Sequence, residues 1–245
     1  MNIQTRTAIV TGASKGIGAA VAKRLAADGF CTVVNYASSA AQAHEVVAAI
    51  AAAGGRAVAI GANVADPSAM QRLFDQAEAE FGAVDVLVNN AGISTVAPLA
   101  NVTDEDYQQL IAVNLTGTFN GMREGARRIR DGGRIVNFST SIIGHYLPGH
   151  GIYVATKAAV EAMTHTLAKE LGTRGVTVNA VAPGPVATEL FLTGRSEELI
   201  RRLTADIPLG RLGEPDDIAR VVSFLASPDS GWINGQVIKA NGGRN

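Results

Sequence analysis

Residues 7–29 read TAIVTGASKGIGAAVAKRLAADG, and the fold is decided there. The first four residues are small, apolar or β-branched and suit a buried strand. Ile17, Val21 and Leu25 then recur every four residues, which lays one apolar stripe along a helix, and Asp28-Gly29 supplies its C-terminal stop. Between strand and helix, Gly12, Gly16 and Gly18 stand in a G-x-x-x-G-x-G pattern. Glycines at such a turn allow a tight bend and a close backbone approach to a pyrophosphate. The helix N-terminus behind them favours the anion. Gly12, Ser14, Lys15, Gly16, Ile17 and Gly18 are therefore candidate dinucleotide contacts.

The same beat continues along the chain. Short runs rich in β-branched residues at 7–10, 32–34, 57–60, 84–88, 134–138, 176–181 and 236–239 alternate with helical stretches, the pattern of βαβ units on a parallel sheet. Pro67-Ser68 opens a helix that runs to Phe81, Thr103 caps another, and Glu214-Pro215-Asp216-Asp217 starts a third. No repeat or linker splits the 245 residues, so one α/β domain is expected. Residues 184–213 break the rhythm with Gly184, Pro185, Gly194, Pro208 and Gly210, and are expected to form an insertion that covers the substrate.

Composition narrows the function classes. With 47% hydrophobic and 18% charged residues the chain can bury a large core, and 21 basic against 22 acidic residues leave no global field for nucleic acid. No apolar run approaches the roughly 18 residues of a membrane span. The single cysteine, Cys31, and the absence of a long apolar stretch in MNIQTRTAIV point to a cytoplasmic protein. The four histidines, His44, His145, His150 and His165, show neither helical pairing nor cysteine partners, so no metal site is expected.

The motifs together resemble the short-chain dehydrogenase/reductase family. Thr11-Gly12-x-x-x-Gly16-x-Gly18 matches that family's cofactor turn. In the expected order follow Asn89-Asn90-Ala91-Gly92 after the fourth strand, Asn114 within Val113-Asn114-Leu115, Ser141 after the fifth strand, Tyr153-Val-Ala-Thr-Lys157 at a helix start, and Pro183-Gly184 after the sixth strand. The resemblance spans Thr7 to Gly243 and implies a Rossmann-like doubly wound sheet of seven parallel strands in the order 3-2-1-4-5-6-7. It also implies a catalytic set of Asn114, Ser141, Tyr153 and Lys157, with Asn90, Ala91, Gly92, Pro183, Gly184, Val186 and Thr188 along the cofactor. In this family Tyr153 would exchange a proton with the substrate oxygen, Ser141 would donate to that oxygen, Lys157 would hold the nicotinamide ribose and lower the tyrosine pKa, and Asn114 would support a proton relay. Ser141 lies 12 residues before Tyr153, one fewer than the family habit, so Ser139 stays a second candidate.

Charge argues for the cofactor variety. NAD-selective folds place an acidic residue on the ribose at the end of the second strand, where it would repel a 2′-phosphate. That place reads Asn35-Tyr36-Ala37-Ser38-Ser39, with no carboxylate between Asp28 and Glu45. NADP(H) is favoured, with Lys15 and the hydroxyl and amide groups of Asn35, Tyr36, Ser38 and Ser39 near the phosphate; NAD(H) is the alternative. Ser38 and Ser39 would otherwise simply cap the next helix. Asn63-Val64 stands where relatives carry Asp-Val beside adenine, and an amide can still donate and accept there.

Ile143, His145 and His150 are expected at the substrate mouth, with Phe191 and Leu192 closing its apolar side. Arg123, Arg127, Arg128, Arg130 and Arg134 form a sequence-local basic patch, read either as a solvated face or as a dock for an acyl carrier protein. The favoured activity is an NADP(H)-dependent reduction or oxidation at a carbonyl/alcohol pair, on a 3-oxoacyl thioester or small ketone. The alternatives are a sugar or polyol dehydrogenase and a non-catalytic NADP-binding regulator. A homotetramer follows from the resemblance alone.

Overall fold

Four strands are buried at every residue: β1 (Thr7–Val10), β4 (Val84–Asn89), β5 (Arg134–Phe138) and β6 (Thr177–Pro183). Such strands belong inside a parallel sheet covered on both faces. The computed structural model, which describes residues 6–245, arranges them so. With β2 (Cys31–Tyr36), β3 (Arg56–Gly61) and β7 (Val237–Ala240) they form one parallel sheet in the order β3-β2-β1-β4-β5-β6-β7. The partly exposed β3 and β7 are its edges.

Alternation along β1 shows how the two cores divide. Ala8 and Val10 face one apolar cluster and Ile9 the other. The first cluster is closed by α1 (Gly16–Ala27), α2 (Ala40–Ala52) and α9 (Pro215–Ala226), the second by α3 (Pro67–Phe81), α5 (Gly117–Arg128) and α6 (Gly151–Glu170). Between them in sequence lie α4 (Asp104–Leu110), α7 (Glu189–Leu192) and α8 (Glu197–Ala205).

The expected elements are present, with shifted ends. The second strand runs past 34 to Tyr36 because Asn35 and Tyr36 still pair with Ile60 and Gly61. The sixth extends to Pro183, opposite Ala240, where a last residue need not donate to a ladder. Asp66 accepts from the Ser68 amide at α3, Thr103 from Asp106 at α4, and Glu214 and Asp217 form a reciprocal capping box at α9, whereas α1, α2, α5 and α6 begin with no side-chain cap. Helix α1 starts at the end of the sheet where the strand order reverses, between β1 and β4. That crevice is where open α/β sheets bind ligands.

Candidate active site

Across that reversal the turns after β1 and β4 are laced together. The Thr11 hydroxyl accepts from the amides of Asn90 (3.0 Å) and Ala91 (3.1 Å), while the Asn90 side chain donates to the carbonyls of Thr11 (2.9 Å) and Gly12 (3.0 Å). The close approach depends on glycine: a Cβ at Gly12 would sit 2.9 Å from Ala91 Cα, and one at Gly18 would sit 2.4 Å from the Gly12 carbonyl oxygen. Gly12 and Gly16 also hold φ of 61° and 57°. Lys15 occupies the N-cap of α1, and its side chain makes no cap bond. Ser14 is half-buried beside it, and Ile17 packs on the core cluster. The turn thus combines a Cβ-free cradle with uncapped helix amides, and it fits the pyrophosphate of a dinucleotide.

The next group divides in two. Ser38 is exposed, and Ser39, at the N-cap of α2, makes no capping bond, so the simple capping reading of these serines does not hold. Tyr36 lies over Gly61, whose Cβ would meet its ring at 3.3 Å. Asn35 requires a correction. It is not in the loop but inside β2, 1% exposed, with its carbonyl and side-chain oxygens accepting from the Ala13 (2.8 Å) and Gly12 (3.3 Å) amides and its side-chain nitrogen donating to the Ile60 and Ala62 carbonyls. It shapes the glycine turn from behind. Asn63 is exposed and accepts from the Ala65 amide (3.1 Å). The side chains of Val64 and Val186 are buried, one in each core. Pro183 ends β6, Gly184 packs on Asn241, and Thr188 caps α7 with its methyl 3.5 Å from where a Gly16 Cβ would lie.

Tyr153 and Lys157 stand one turn apart on α6. Lys157 is 4% exposed; its ammonium donates to the Phe138 carbonyl at 2.8 Å, and burial pulls its pKa down to about 8. A Cβ at Gly92 would fall 3.5 Å from that ammonium and 3.4 Å from Asn114 Oδ1. Asn114 is fully buried in a π-helical stretch, Ile111–Thr116, where α4 passes into α5. Its amide accepts from Ile93 N (2.8 Å) and donates to Ile93 O (2.9 Å), which fixes it against the turn after β4. Insertions of this kind in helices often mark functional sites.

Burial pushes the Tyr153 phenol above its ordinary value, and the opposing pull is a hydrogen bond with the Thr140 side chain. The Lys157 ammonium is turned to the Phe138 carbonyl. Ser141, 4% exposed, opens the short helical turn Ser141–Gly144, and its carbonyl accepts from Asn245 Nδ2 at 2.7 Å. Ser139 donates to Glu161 at 2.5 Å and is thereby engaged away from Tyr153. Thr140, Asn245 and Glu161 were not singled out by the sequence; the three hydroxyls at 139–141 were its only signal.

At the outer rim, Ile143, His145 and His150 are half-buried on the loop between Ser141 and Tyr153, and His150 Nδ1 lies 3.2 Å from the Pro148 carbonyl. Tyr146 in that loop holds a φ of 49° and is 76% exposed. On α7, Phe191 lies beneath the Arg195 guanidinium, 4.4 Å from its ring centroid, and Leu192 is 39% exposed. The basic patch dissolves on folding. Arg128 pairs with Glu78 (2.6 Å) and Asp75 (2.7 Å), Arg127 with the buried Glu124 (3.2 Å) and Arg130 with Asp85 (3.1 Å), while Arg134 is 9% exposed. Among the described residues no three His, Cys, Asp or Glu side chains gather as a metal site, and no helix is long and apolar enough to cross a membrane.

Residues 12–245 match the family described as enoyl-(acyl carrier protein) reductase. An uncharacterised oxidoreductase of Methylorubrum extorquens is 45% identical over 98% of both chains. The chain belongs to the short-chain dehydrogenase/reductase family. An NADPH-dependent aldehyde reductase-like chloroplastic protein of Arabidopsis thaliana is 44% identical over 97% of this chain and 93% of its own. A short-chain dehydrogenase of Burkholderia cenocepacia, solved in complex with NADP, superposes with a TM-score of 0.93 at 38% identity over the whole of both chains. This short-chain dehydrogenase/reductase therefore has the sheet order that its sequence implied, and the motif residues of the family converge on one end of that sheet.

Proposed function

We propose that the protein is an NADP(H)-dependent oxidoreductase that interconverts a carbonyl and its alcohol, with a free aldehyde or ketone as substrate. The observation that carries this is the convergence on Gly92 of Asn114 and Lys157, one helical turn from Tyr153, at the mouth of an uncapped glycine turn. Bound there, the nicotinamide supplies or takes the hydride at the substrate carbon. Gly12 to Gly18 would hold the pyrophosphate, Lys15, Ser38 and Ser39 the 2′-phosphate, and Asn63 and Val64 the adenine. The Asn90 to Gly92 turn and Pro183, Gly184 and Thr188 would hold the remainder.

The proton chemistry belongs to the chain. Tyr153, buried and held above the ordinary phenol pKa, gives its proton to a carbonyl oxygen in reduction and takes it back in oxidation. Ser141 donates to the same oxygen as charge develops. Lys157, cationic below about pH 8, anchors the nicotinamide ribose, and Asn114 holds the turn against which it rests. Residues 184–213 would cover the substrate, with Phe191 and Leu192 on its apolar side and Ile143, His145 and His150 at its mouth. Ion pairs at Arg127, Arg128 and Arg130 weaken the basic surface on which an acidic carrier would dock, which favours a free carbonyl compound over a carrier-bound thioester.

The test is titration with NADPH and NADH followed by nicotinamide absorbance against aldehydes, ketones, sugars and a 3-oxoacyl thioester. Oxidation of NADPH by an aldehyde or ketone, lost in Tyr153→Phe, supports the proposal. Turnover of the thioester alone would overturn its substrate class. Tight NADPH binding without turnover on any of them would make the protein a regulator, and a preference for NADH would overturn the phosphate reading.

A further inference from the structure

The end of β2 carries no carboxylate, but the fold brings one to Lys15 from elsewhere. Glu189, the first residue of α7 and 174 positions along the chain, accepts from the Lys15 ammonium at 2.7 Å. The pair bridges the glycine turn and the segment after β6. The contact is seated rather than incidental, because the preceding residue, Thr188, packs its methyl 3.5 Å from the Cβ position of Gly16 and caps α7 with its hydroxyl. Lys15 is itself without a capping role on α1. One cation thus has two competing anions: the carboxylate that now holds it and any phosphate entering beside it.

We propose that Glu189 sets the strength of 2′-phosphate recognition. It ties Lys15 to the covering segment across the mouth of the cofactor cleft, and a dinucleotide carrying a 2′-phosphate takes Lys15 from it, while NAD(H), which has no such group, leaves the pair closed. This rests on the reading of Lys15 as a 2′-phosphate contact. Both partners are more than half exposed, so the pair is weak and salt-sensitive, and its effect on affinity is a few-fold. The consequence is that entry of the phosphorylated cofactor releases α7 from the glycine turn, and the unphosphorylated cofactor does not.

Calorimetric titration of NADPH and NADH into the wild type, Glu189→Gln, Lys15→Met and the double variant tests it. Glu189→Gln is expected to tighten NADPH roughly threefold at low salt and leave NADH unchanged, with the gain gone in about 0.5 M salt and absent in the Lys15→Met background. An equal gain for both cofactors, no gain at all, or the same gain with and without Lys15 would overturn the competition while leaving the NADP reading intact. If Lys15→Met leaves the NADPH-to-NADH affinity ratio of the wild type unaltered, Lys15 is not a phosphate contact, and the proposal falls with that reading. NADH affinity reports the integrity of the rest of the site in every variant.

Discussion

At the start of β5 the Arg134 guanidinium, 9% exposed, donates to the carbonyls of Gly132 (2.7 Å) and Gly133 (2.9 Å); just past its end the Lys157 ammonium, 4% exposed, donates to the carbonyl of Phe138 (2.8 Å). Both are buried cations on backbone oxygens, yet they differ in what is left over. Arg134 cannot lose its proton, and its fork closes the turn before the strand. Around it Asp85 accepts from the Thr7 amide (2.7 Å) and pairs with Arg130, and Arg6 donates to the Ala226 carbonyl (3.0 Å), while Arg134 Nε and the Thr177 hydroxyl are buried without a partner. Lys157 has three donors and a pKa near 8, and its neighbours are a phenol, an amide and a glycine turn with no cap. What separates the two is that Lys157 can release a proton beside a phenol and Arg134 cannot.

Four substitutions or conditions break or sharpen that contrast. The largest effect is expected for Tyr153→Phe, which removes the proton donor: kcat falls about a thousandfold while the NADPH dissociation constant stays within about twofold. Retention of turnover would remove Tyr153 from the chemistry. Next, Lys157→Met and Arg134→Met are expected to part company. The lysine variant loses roughly a hundredfold in kcat/KM, and the arginine variant loses about 1–3 kcal/mol in urea unfolding with kinetics intact, because it leaves buried carbonyls unpaired. Similar losses of activity and stability in both variants would erase the distinction between the two ends.

The third concerns pH. The folded-state pKa of Lys157 lies below that of the unfolded chain, so below about pH 8 both states carry the proton and the cost of burying the charge is fully present. As pH rises from about 8 toward the ordinary lysine value the folded protein sheds its proton first and gains relative stability. The stability advantage of Lys157→Met over the wild type should therefore shrink by about 2 kcal/mol between pH 7 and pH 10, read from paired urea midpoints. Reduction should slow over the same range. An advantage independent of pH would mean that Lys157 is not buried as a cation. The smallest effect is expected for Ser39→Ala: NADPH weakens a few-fold, NADH is unaffected, and stability changes by less than about 0.5 kcal/mol, since the hydroxyl caps nothing. A loss near 1 kcal/mol would restore its capping role.

Much of this was legible in sequence because it is local. The apolar runs, the glycine turn and the four-residue stripe of α1 are read within some twenty residues, and the parallel sheet follows from their alternation. What escaped was set by distance along the chain. Arg128 looked like part of a patch because Asp75 and Glu78, which neutralise it, lie some fifty residues earlier. Asn35 looked like a loop residue because nothing nearby shows that Ile60 and Ala62 continue the ladder beside it. The π-helical turn at Asn114 leaves no periodic trace, since one extra residue in a helix resembles ordinary drift of an apolar stripe. The bond from the Lys157 ammonium to the Phe138 carbonyl, nineteen residues earlier, is likewise something no spacing reveals.

The most direct test is reduction of an aldehyde or ketone substrate with NADPH deuterated at the transferable nicotinamide position, run for the wild type and Tyr153→Phe. Deuterium on the new carbinol carbon, with the exchangeable hydroxyl proton drawn from solvent and product formation lost in the variant, is the expected result. NADPH consumed without deuterium in the product, or equal product from the variant, would contradict hydride transfer coupled to proton donation by Tyr153.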